Sequence, residues 1–453
     1  MKRFALLLMV TLLIGSISGM TNLISAKGPK KVELKKEGER WQMYVDGEPF
    51  FMKGASVYPV PPQNQTFYTT IANYGANTVR TFRTYVDSRE ILDNCERLGL
   101  MVHVGLQFRS IRSGYYDKDV DAALAKQEEE ILTVVNEFKN HPAVLCWSIG
   151  NEIDVTFHKD TLIYKYYESI ERIARKIHEI DPNHPVTNAV LNNYSKERKH
   201  ALQNICKSLD FFSYNIYRKA DNKILIPDML DAYEWEKAFV TTELGQEGYW
   251  HREKLGNRRY TDWNAVLDHT STEKEAIYDA CITKAEADPR CVGVLSFLWG
   301  NETQTIALVK EWHSLLALNG YTYGAVDILQ KHWTGHMPLA RAPRIESKDD
   351  IKMNGKLATD WIRVSPGSEN VGTVKVGNPA KVKLRYHWRI IAEGSSRHDF
   401  RFADGIEGLI ADNGNKKIHF AAPYTPGAYR LYVHVYDDVN RKAAYASIPF
   451  LVE

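Results

Sequence analysis

The segment AVLCWSIGNE, residues 143–152, is an apolar run that ends in a carboxylate, Glu152. Its uninterrupted apolar character is typical of a strand covered on both faces, as in parallel sheets. A second run of this kind, AFVTTELG at residues 238–245, carries Glu243 near its end. Charged side chains are unusual in buried runs, so both glutamates are candidate functional groups.

Six further apolar runs between residues 50 and 300 have the same character, and segments with helical periodicity separate them. Eight alternating strand and helix units over roughly 260 residues match the size of a TIM (β/α)8 barrel. An open, doubly wound sheet is the alternative architecture, although no GxGxxG motif follows the first run. The six runs are FFMKGASVY, ANTVRTF, LMVHVGLQ, PVTNAV, DFFSYNIY and VGVLSFLWG.

Different patterns flank the eight units. The segment GERWQMYVDGEPFF predicts a hairpin that turns at Asp46 and Gly47 and closes the bottom of the barrel. Beyond about residue 345, short runs with period-two alternation predict an antiparallel β-sandwich of the immunoglobulin-like type. We therefore expect a barrel domain with its hairpin over residues 30–343 and a sandwich domain over residues 344–453.

The N-terminal residues have the order of a secretory signal peptide. Lys2 and Arg3 precede the apolar run ALLLMVTLLIG, and small residues follow it. We predict a signal peptide over residues 1–26, with the cleavage site left open, and a secreted or periplasmic protein that is not inserted in a membrane after cleavage. There is no cysteine near the cleavage region, so a lipid anchor is not expected.

Charge and motif content narrow the function classes. The 58 basic and 56 acidic residues give a net charge of +2, which argues against a nucleic-acid partner. The 10 Trp and 25 Tyr residues suit a carbohydrate partner, since sugar rings stack on aromatic faces. No HExxH motif, P-loop or acidic cluster indicates a metal, and we expect no cofactor. The five cysteines fit structural thiols, with a Cys281–Cys291 disulfide left open.

The strand ends of a barrel bring distant residues together. Active sites of TIM barrels lie at the carboxyl ends of the strands, where Glu152 ends the fourth run and Glu243 the seventh. A retaining glycosidase needs one carboxylic acid to protonate the leaving oxygen and one carboxylate to attack the anomeric carbon. Arg80 and Tyr217, at the ends of the second and sixth runs, are suited to keep the attacking carboxylate ionised. Weaker candidates for substrate binding are Gln107, Trp250 and Tyr58.

These segments resemble those of glycoside hydrolase clan A, over about residues 40–320, with a barrel closest to family 2. The resemblance implies that Glu152 is the acid/base and Glu243 the nucleophile. It also implies that Asn151 binds the sugar 2-hydroxyl and that Trp299, in VGVLSFLWG, forms the floor of the first subsite. A short barrel followed by an immunoglobulin-like domain is further similar to secreted bacterial endo-β-1,3-glucanases of family 158, which suggests a β-1,3-glucan substrate.

We therefore predict a secreted retaining β-glycosidase that hydrolyses a poly- or oligosaccharide by double displacement. One alternative is a transglycosylase that uses the same two glutamates. The other is a carbohydrate-binding barrel without catalysis, which the presence of both carboxylates argues against.

Overall fold

The computed structural model describes nine stretches of the chain. Within them, no helix combines the length and the apolar content needed to cross a membrane. The signal peptide predicted in residues 1–26 and the candidates Tyr58 and Trp250 lie outside the described residues and stay predictions. The described residues are 28–57, 65–109, 119–153, 161–191, 196–218, 236–248, 260–301, 311–393 and 405–453.

A three-stranded antiparallel sheet precedes the barrel. Val45 pairs with Glu48, which leaves Asp46 and Gly47 as a two-residue turn. Both turn residues have positive φ, 51° and 85°, as a type I′ hairpin requires. The strands are β1 (Val32–Glu37), β2 (Arg40–Val45) and β3 (Glu48–Phe50).

Eight parallel strands then close into a barrel, so the TIM-barrel prediction is confirmed. All eight residues of the strand that carries Glu243 are buried, as its apolar run predicts. An open sheet is excluded because every barrel strand has two neighbours in a closed ring. The strands are β4 (Met52–Val57), β5 (Thr78–Thr81), β6 (Met101–Leu106), β7 (Val144–Asn151), β8 (Val186–Leu191), β9 (Phe212–Arg218), β10 (Phe239–Gln246) and β11 (Cys291–Trp299).

Helices cover the outside of the barrel and bury apolar residues against its strands. The N-terminus of one long helix is capped by Asp119, whose side chain accepts a hydrogen bond from the Ala122 N–H. A reciprocal capping box between Thr270 and Glu273 starts another. The helices are α1 (Gln65–Asn73), α2 (Arg89–Arg97), α3 (Val120–Phe138), α4 (Thr161–Ile180), α5 (Lys196–Ile205), α6 (Ser271–Ala287) and α7 (Gly324–Thr334).

The N-terminal sheet closes one end of the barrel. Met43 of β2 is fully buried in an apolar cluster with residues at the beginnings of the barrel strands. This end is therefore filled with apolar side chains, which leaves the carboxyl ends of the strands as the open rim. The cluster residues at or just before the beginnings of the strands include Met52, Met101, Leu145, Phe211, Ala238 and Val292.

Two packed sheets follow the barrel and share one hydrophobic core. Their strands pair antiparallel except for one short parallel pair, β13 with β18, and the immunoglobulin-like subtype and the domain boundaries stay predictions. All five cysteines are buried thiols, so a Cys281–Cys291 disulfide is not formed. The strands are β12 (Ile351–Met353), β13 (Arg363–Val364), β14 (Glu369–Val374), β15 (Leu384–Ala392), β16 (Lys417–Ala421), β17 (Gly427–Asp437) and β18 (Lys442–Val452).

Strand β17 alternates as its sequence predicts, and both of its faces are buried. One face enters the core of the sandwich and the other packs on the barrel domain. Arg430, on the second face, donates to the backbone oxygen of Val266 at 2.5 Å. The core-facing residues include Leu431, Val433 and Val435, and those facing the barrel domain include Tyr432, His434 and Tyr436.

Candidate active site

Glu243 lies on β10 with 5% of its surface exposed. Arg80 Nη1, from β5, donates to its Oε1 at 2.8 Å. The hydroxyl of Tyr217, from β9, donates to its Oε2. Each oxygen of the carboxylate therefore has a donor, and one of the two donors carries a full positive charge. This is the surrounding that the ionised form of a buried carboxylate requires.

Glu152 follows the last residue of β7 and is half-buried. Its backbone is left-handed, with φ of 50°, and comes two residues after Gly150 with φ of 74°. The Glu152 N–H donates to the oxygen of Ala189 at 2.9 Å, which holds this turn against the neighbouring strand. Its Oε1 accepts a hydrogen bond from Asn215 Nδ2 at 2.7 Å.

One hydrogen-bond network joins the two glutamates. Asn151 Oδ1 accepts from Arg80 Nη2 at 2.5 Å and from Asn215 Nδ2 at 3.0 Å. Because Asn215 also binds Glu152 and Arg80 also binds Glu243, the chain of contacts is continuous. Two carboxylates that are remote in sequence thus lie at the same rim of the barrel.

Asn215 is a central residue that the sequence analysis did not select. It is fully buried on β9, and its Oδ1 accepts from Thr242 Oγ1 at 2.8 Å. Ser213, Asn215 and Tyr217 are spaced by two, and side chains at this spacing share one face of a strand. Applying that alternation to the run DFFSYNIY would have placed Asn215 beside Tyr217 on the inner face.

Removal from water raises the pKa of the Tyr217 hydroxyl well above its ordinary value of 10, and the charges of Glu243 and Glu152 raise it further. The phenol is therefore protonated at neutral pH. It acts as a neutral donor to Glu243, which adds a hydrogen bond to the carboxylate without adding charge.

A polar layer lies inside the barrel below the two glutamates. Arg80 Nη1 also donates to Ser56 Oγ at 3.3 Å, and Ser56 donates to the backbone oxygen of Thr242. His103 Nε2 lies 3.0 Å from Ser213 Oγ. Burial, followed by the positive charge of Arg80, lowers the pKa of His103 to about 3. His103 is therefore neutral and supports the site as a hydrogen-bonding group.

Trp299 lies apart from the network of the two glutamates, and its role as the floor of the first subsite stays a prediction. Its side chain is fully buried between the barrel and the helices, with its ring centroid 6.4 Å from that of Tyr74 and 6.2 Å from that of Trp333. The pairing of β11 with β4 shifts register between Ser296 and Trp299, so simple alternation fails there. The aromatic residue of this strand beside the site is Phe297, which packs edge-on to Tyr217 at 5.8 Å.

Gln107 lies apart from the network of the two glutamates. It is half-buried after β6 and lines a cavity of about 440 Å³ between α3 and the segment after β5. The lining of this cavity includes Tyr85 and Arg109 and none of the network residues. The surroundings of Gln107 therefore give no support to the prediction that it binds substrate.

One group of possible metal ligands occurs in the described residues, at Asp93, Glu96 and His141, on the helical layer. The His141 ring is already used: its Nδ1 accepts from the Ala143 N–H at 3.2 Å, and its Nε2 lies 2.9 Å from Asp93 Oδ1. Both ring nitrogens of His141 are thus already engaged in contacts within the protein.

The family model described as "Glycosyl hydrolases family 2, TIM barrel domain" matches residues 65–249. This range contains Arg80, Asn151, Glu152, Tyr217 and Glu243. The barrel is thus similar to that of glycoside hydrolase family 2, in clan A. The resemblance stated from the sequence motifs is thereby confirmed.

Among curated proteins, the family 2-like barrel is similar to β-glucuronidases. That of Paenibacillus borealis is 26% identical over 170 residues, which are 34% of this chain and 27% of the relative. That of Homo sapiens is 25% identical over 171 residues, 35% of this chain and 24% of the relative. The match thus covers about a quarter of the length of these relatives.

Solved structures show the same fold. The β-glucuronidase of Bifidobacterium dentium complexed with coumarin-3-O-glucuronide superposes with a TM-score of 0.53 at 17% identity, covering 68% of this chain and 49% of that one. Bacteroides uniformis β-glucuronidase 2, covalently bound to cyclophellitol-6-carboxylate aziridine, gives 0.51 at 12% identity, covering 93% and 48%. At these identities the likeness concerns the fold alone.

The buried ion pair of the family 2-like barrel gives a stability prediction. Arg80→Met should lower the free energy of unfolding by about 3–5 kcal/mol, because it leaves the Glu243 carboxylate buried without its cation. The double variant Arg80→Met, Glu243→Leu should lose less than the single variant, since it removes both charges. Urea denaturation of the three proteins measures this, and equal losses in both variants would contradict the pairing.

His103 predicts a pH dependence. The unfolded chain protonates this histidine near 6.5, whereas the folded protein does so at about 3. Between these values the unfolded state binds more protons, so stability falls as pH decreases, by up to about 1.4 kcal/mol per pH unit. In His103→Gln this part of the slope should vanish, whereas His336→Gln, at an exposed position, should keep it. Denaturation curves from pH 4 to pH 7 provide the measurement, and equal slopes in all three proteins would refute the assignment.

Proposed function

We propose that the protein is a retaining β-glycosidase, with Glu243 as nucleophile and Glu152 as general acid/base. The observation that carries the proposal is the unequal surroundings of the two carboxylates. Arg80 and Tyr217 donate to both oxygens of Glu243, which favours its ionised form. Glu152 accepts a hydrogen bond from the neutral amide of Asn215 and is the more exposed of the two. This difference suits an attacking carboxylate beside a proton donor.

In the first step, Glu243 attacks the anomeric carbon, and the bond from that carbon to the leaving oxygen breaks. Glu152 gives its proton to the leaving oxygen, which departs as an alcohol, while the sugar stays joined to Glu243 as an ester. Arg80 remains beside the ester and is ready to stabilise the carboxylate when it is released.

In the second step, Glu152 removes a proton from a water molecule, and the water oxygen attacks the anomeric carbon. The ester bond breaks and Glu243 recovers its charge, so the product keeps the configuration of the substrate. Asn151 Oδ1 is occupied by Arg80 and Asn215. This fixes the orientation of the amide and directs its NH2 group away from both donors, where it can bind a sugar hydroxyl.

We propose two classes of substrate. The curated relatives are β-glucuronidases, which makes β-glucuronides the first substrates to test. The short barrel followed by a sandwich supports β-1,3-glucan as the second. The signal-peptide pattern in residues 1–26 supports export from the cell, so these substrates would be met outside the cytoplasm.

Alanine variants of the two glutamates test the mechanism. Glu152→Ala should lose about 10²- to 10⁴-fold in rate with aryl β-glycosides that need a proton on the leaving group. With dinitrophenyl β-glycosides, whose leaving group needs no proton, azide should restore the rate of Glu152→Ala and give a β-glycosyl azide, because it replaces water in the second step. Glu243→Ala should lose more activity, and azide should give the α-product. Unchanged hydrolysis by either variant would end the proposal.

A panel of substrates tests the sugar and the type of reaction. We expect the purified protein to release sugar from aryl β-glucuronides or from β-1,3-glucan, and the first product seen by NMR should be the β-anomer. Longer products in place of free sugar would show a transglycosylase. Binding of glycan without release would show a carbohydrate-binding barrel and would contradict the proposal.

A further inference from the structure

Residues 311–316, which we term the bridging segment, run along the rim of the barrel after β11. The Leu298 N–H donates to the His313 oxygen at 3.0 Å, and the Leu315 N–H donates to the Leu298 oxygen at 3.2 Å. At the end of β10, Gln246 Nε2 donates to the oxygen of Trp312 at 2.6 Å. The bridging segment is therefore fastened to the two strands that carry Glu243 and Phe297.

His313 brings the bridging segment into contact with the candidate site. Its side chain is buried, with its ring centroid 5.3 Å from that of Tyr217 and 5.3 Å from that of Phe297. Its Nε2 lies 3.2 Å from the backbone oxygen of Gln246. Tyr217, which donates to Glu243, thus has His313 packed against its ring. A shift of His313 would therefore change the packing that holds the Tyr217 ring in place.

The conformation of the bridging segment depends on Glu311. This residue is fully buried and has φ of 67°, a left-handed conformation that side-chain-bearing residues seldom adopt. Such a conformation persists where surrounding contacts over-determine it. Its Oε2 accepts from Asn301 Nδ2 at 2.7 Å and from the Tyr323 hydroxyl at 2.8 Å, both on the barrel side.

The sandwich domain supplies further contacts of Glu311. His434 Nε2, from β17, lies 3.1 Å from Oε1, and Arg389 Nη2, from β15, lies 3.5 Å from the same atom. The Tyr445 hydroxyl, from β18, donates to the backbone oxygen of Glu311 at 2.8 Å. Burial opposes ionisation of Glu311, yet the contacts with His434 and Arg389 leave its pKa below the ordinary value, so it is a carboxylate. The Glu311 side chain and backbone are thus held from the sandwich as well as from the barrel domain, where Lys274 Nζ also donates to the Glu311 backbone oxygen at 3.1 Å.

We infer that the C-terminal sandwich positions Tyr217 against Glu243 through Glu311 and His313. Glu311 is then a positioning residue whose contacts fix the bridging segment. The sandwich thereby contributes to the geometry of the site. The inference rests on the proposed glycosidase function. It goes beyond simple bracing of the barrel because these contacts meet at one strained residue, two positions from the ring that packs on Tyr217.

The variant Glu311→Gln tests the inference in the full-length protein. Either orientation of the new amide places its NH2 group against donors that now bind the carboxylate, so the left-handed turn loses its restraint. The matched control is Asp327→Asn, at the same domain interface. Asp327 is fully buried and pairs with Lys442 of the sandwich, and its described contacts do not include the bridging segment.

We expect Glu311→Gln to slow the single-turnover release of dinitrophenolate from a dinitrophenyl β-glycoside by about tenfold to a hundredfold. This leaving group needs no proton, so the loss reports on attack by Glu243 and not on Glu152. The apparent dissociation constant of the substrate should change less than about twofold, and Asp327→Asn should keep the wild-type rate even where its melting temperature falls. A Glu311→Gln protein that matches Asp327→Asn in rate would overturn the inference.

Two further measurements test the inference if Glu311→Gln does not fold or if the wild-type protein hydrolyses no glycoside. If Glu311→Gln does not fold, Arg389→Gln removes the cation from the sandwich side and should show the same loss of rate. If the wild-type protein hydrolyses no glycoside, the proposed function fails, and crystal structures of wild-type and variant proteins then judge the positioning by itself. The inference predicts that His313 and Tyr217 move in the variant, and their unchanged positions would contradict it.

Discussion

The buried guanidinium of Arg80 is the constraint on which the site depends. A charge that is 1% exposed is tolerable only when oppositely charged and hydrogen-bonding partners surround it. Those partners are Glu243 on β10, Asn151 on β7 and Ser56 on β4. Three strands besides its own must therefore stand in register around one side chain. The geometry that stabilises Arg80 is the same geometry that orients the Glu243 carboxylate.

The interior of the barrel is apolar at one end and polar at the other. At the closed end, Met43 and residues at the beginnings of the strands form an apolar cluster. Towards the rim the interior becomes polar, with His103, Ser213 and Ser56 in a hydrogen-bonded layer. Apolar packing supplies most of the folding free energy, so the closed end can carry the stability while the rim holds buried polar groups that hydrogen-bond to one another.

The sandwich domain is joined to the barrel domain by buried polar contacts as well as apolar ones. Arg430 reaches the backbone of Val266, and Lys442 pairs with Asp327. Such contacts contribute modest net stability, but removing one partner is costly, so they fix how the domains meet. The outward face of β17 is rich in Tyr, His and Arg because it packs against the barrel domain.

The sequence by itself determined the eight strands and the positions of Glu152 and Glu243 at their ends, because apolar runs and strand ends are local patterns that survive folding unchanged. It also placed Arg80 and Tyr217 beside Glu243, whereas the closure of the strands into a ring was decided by the structure. Only the tertiary structure decided the linking role of Asn215, the burial of Trp299 behind a register shift, and the contacts of Glu311. His434 lies more than a hundred residues from Glu311 in the chain. Contacts of that kind follow from how two domains pack, and no periodic pattern in either segment encodes them.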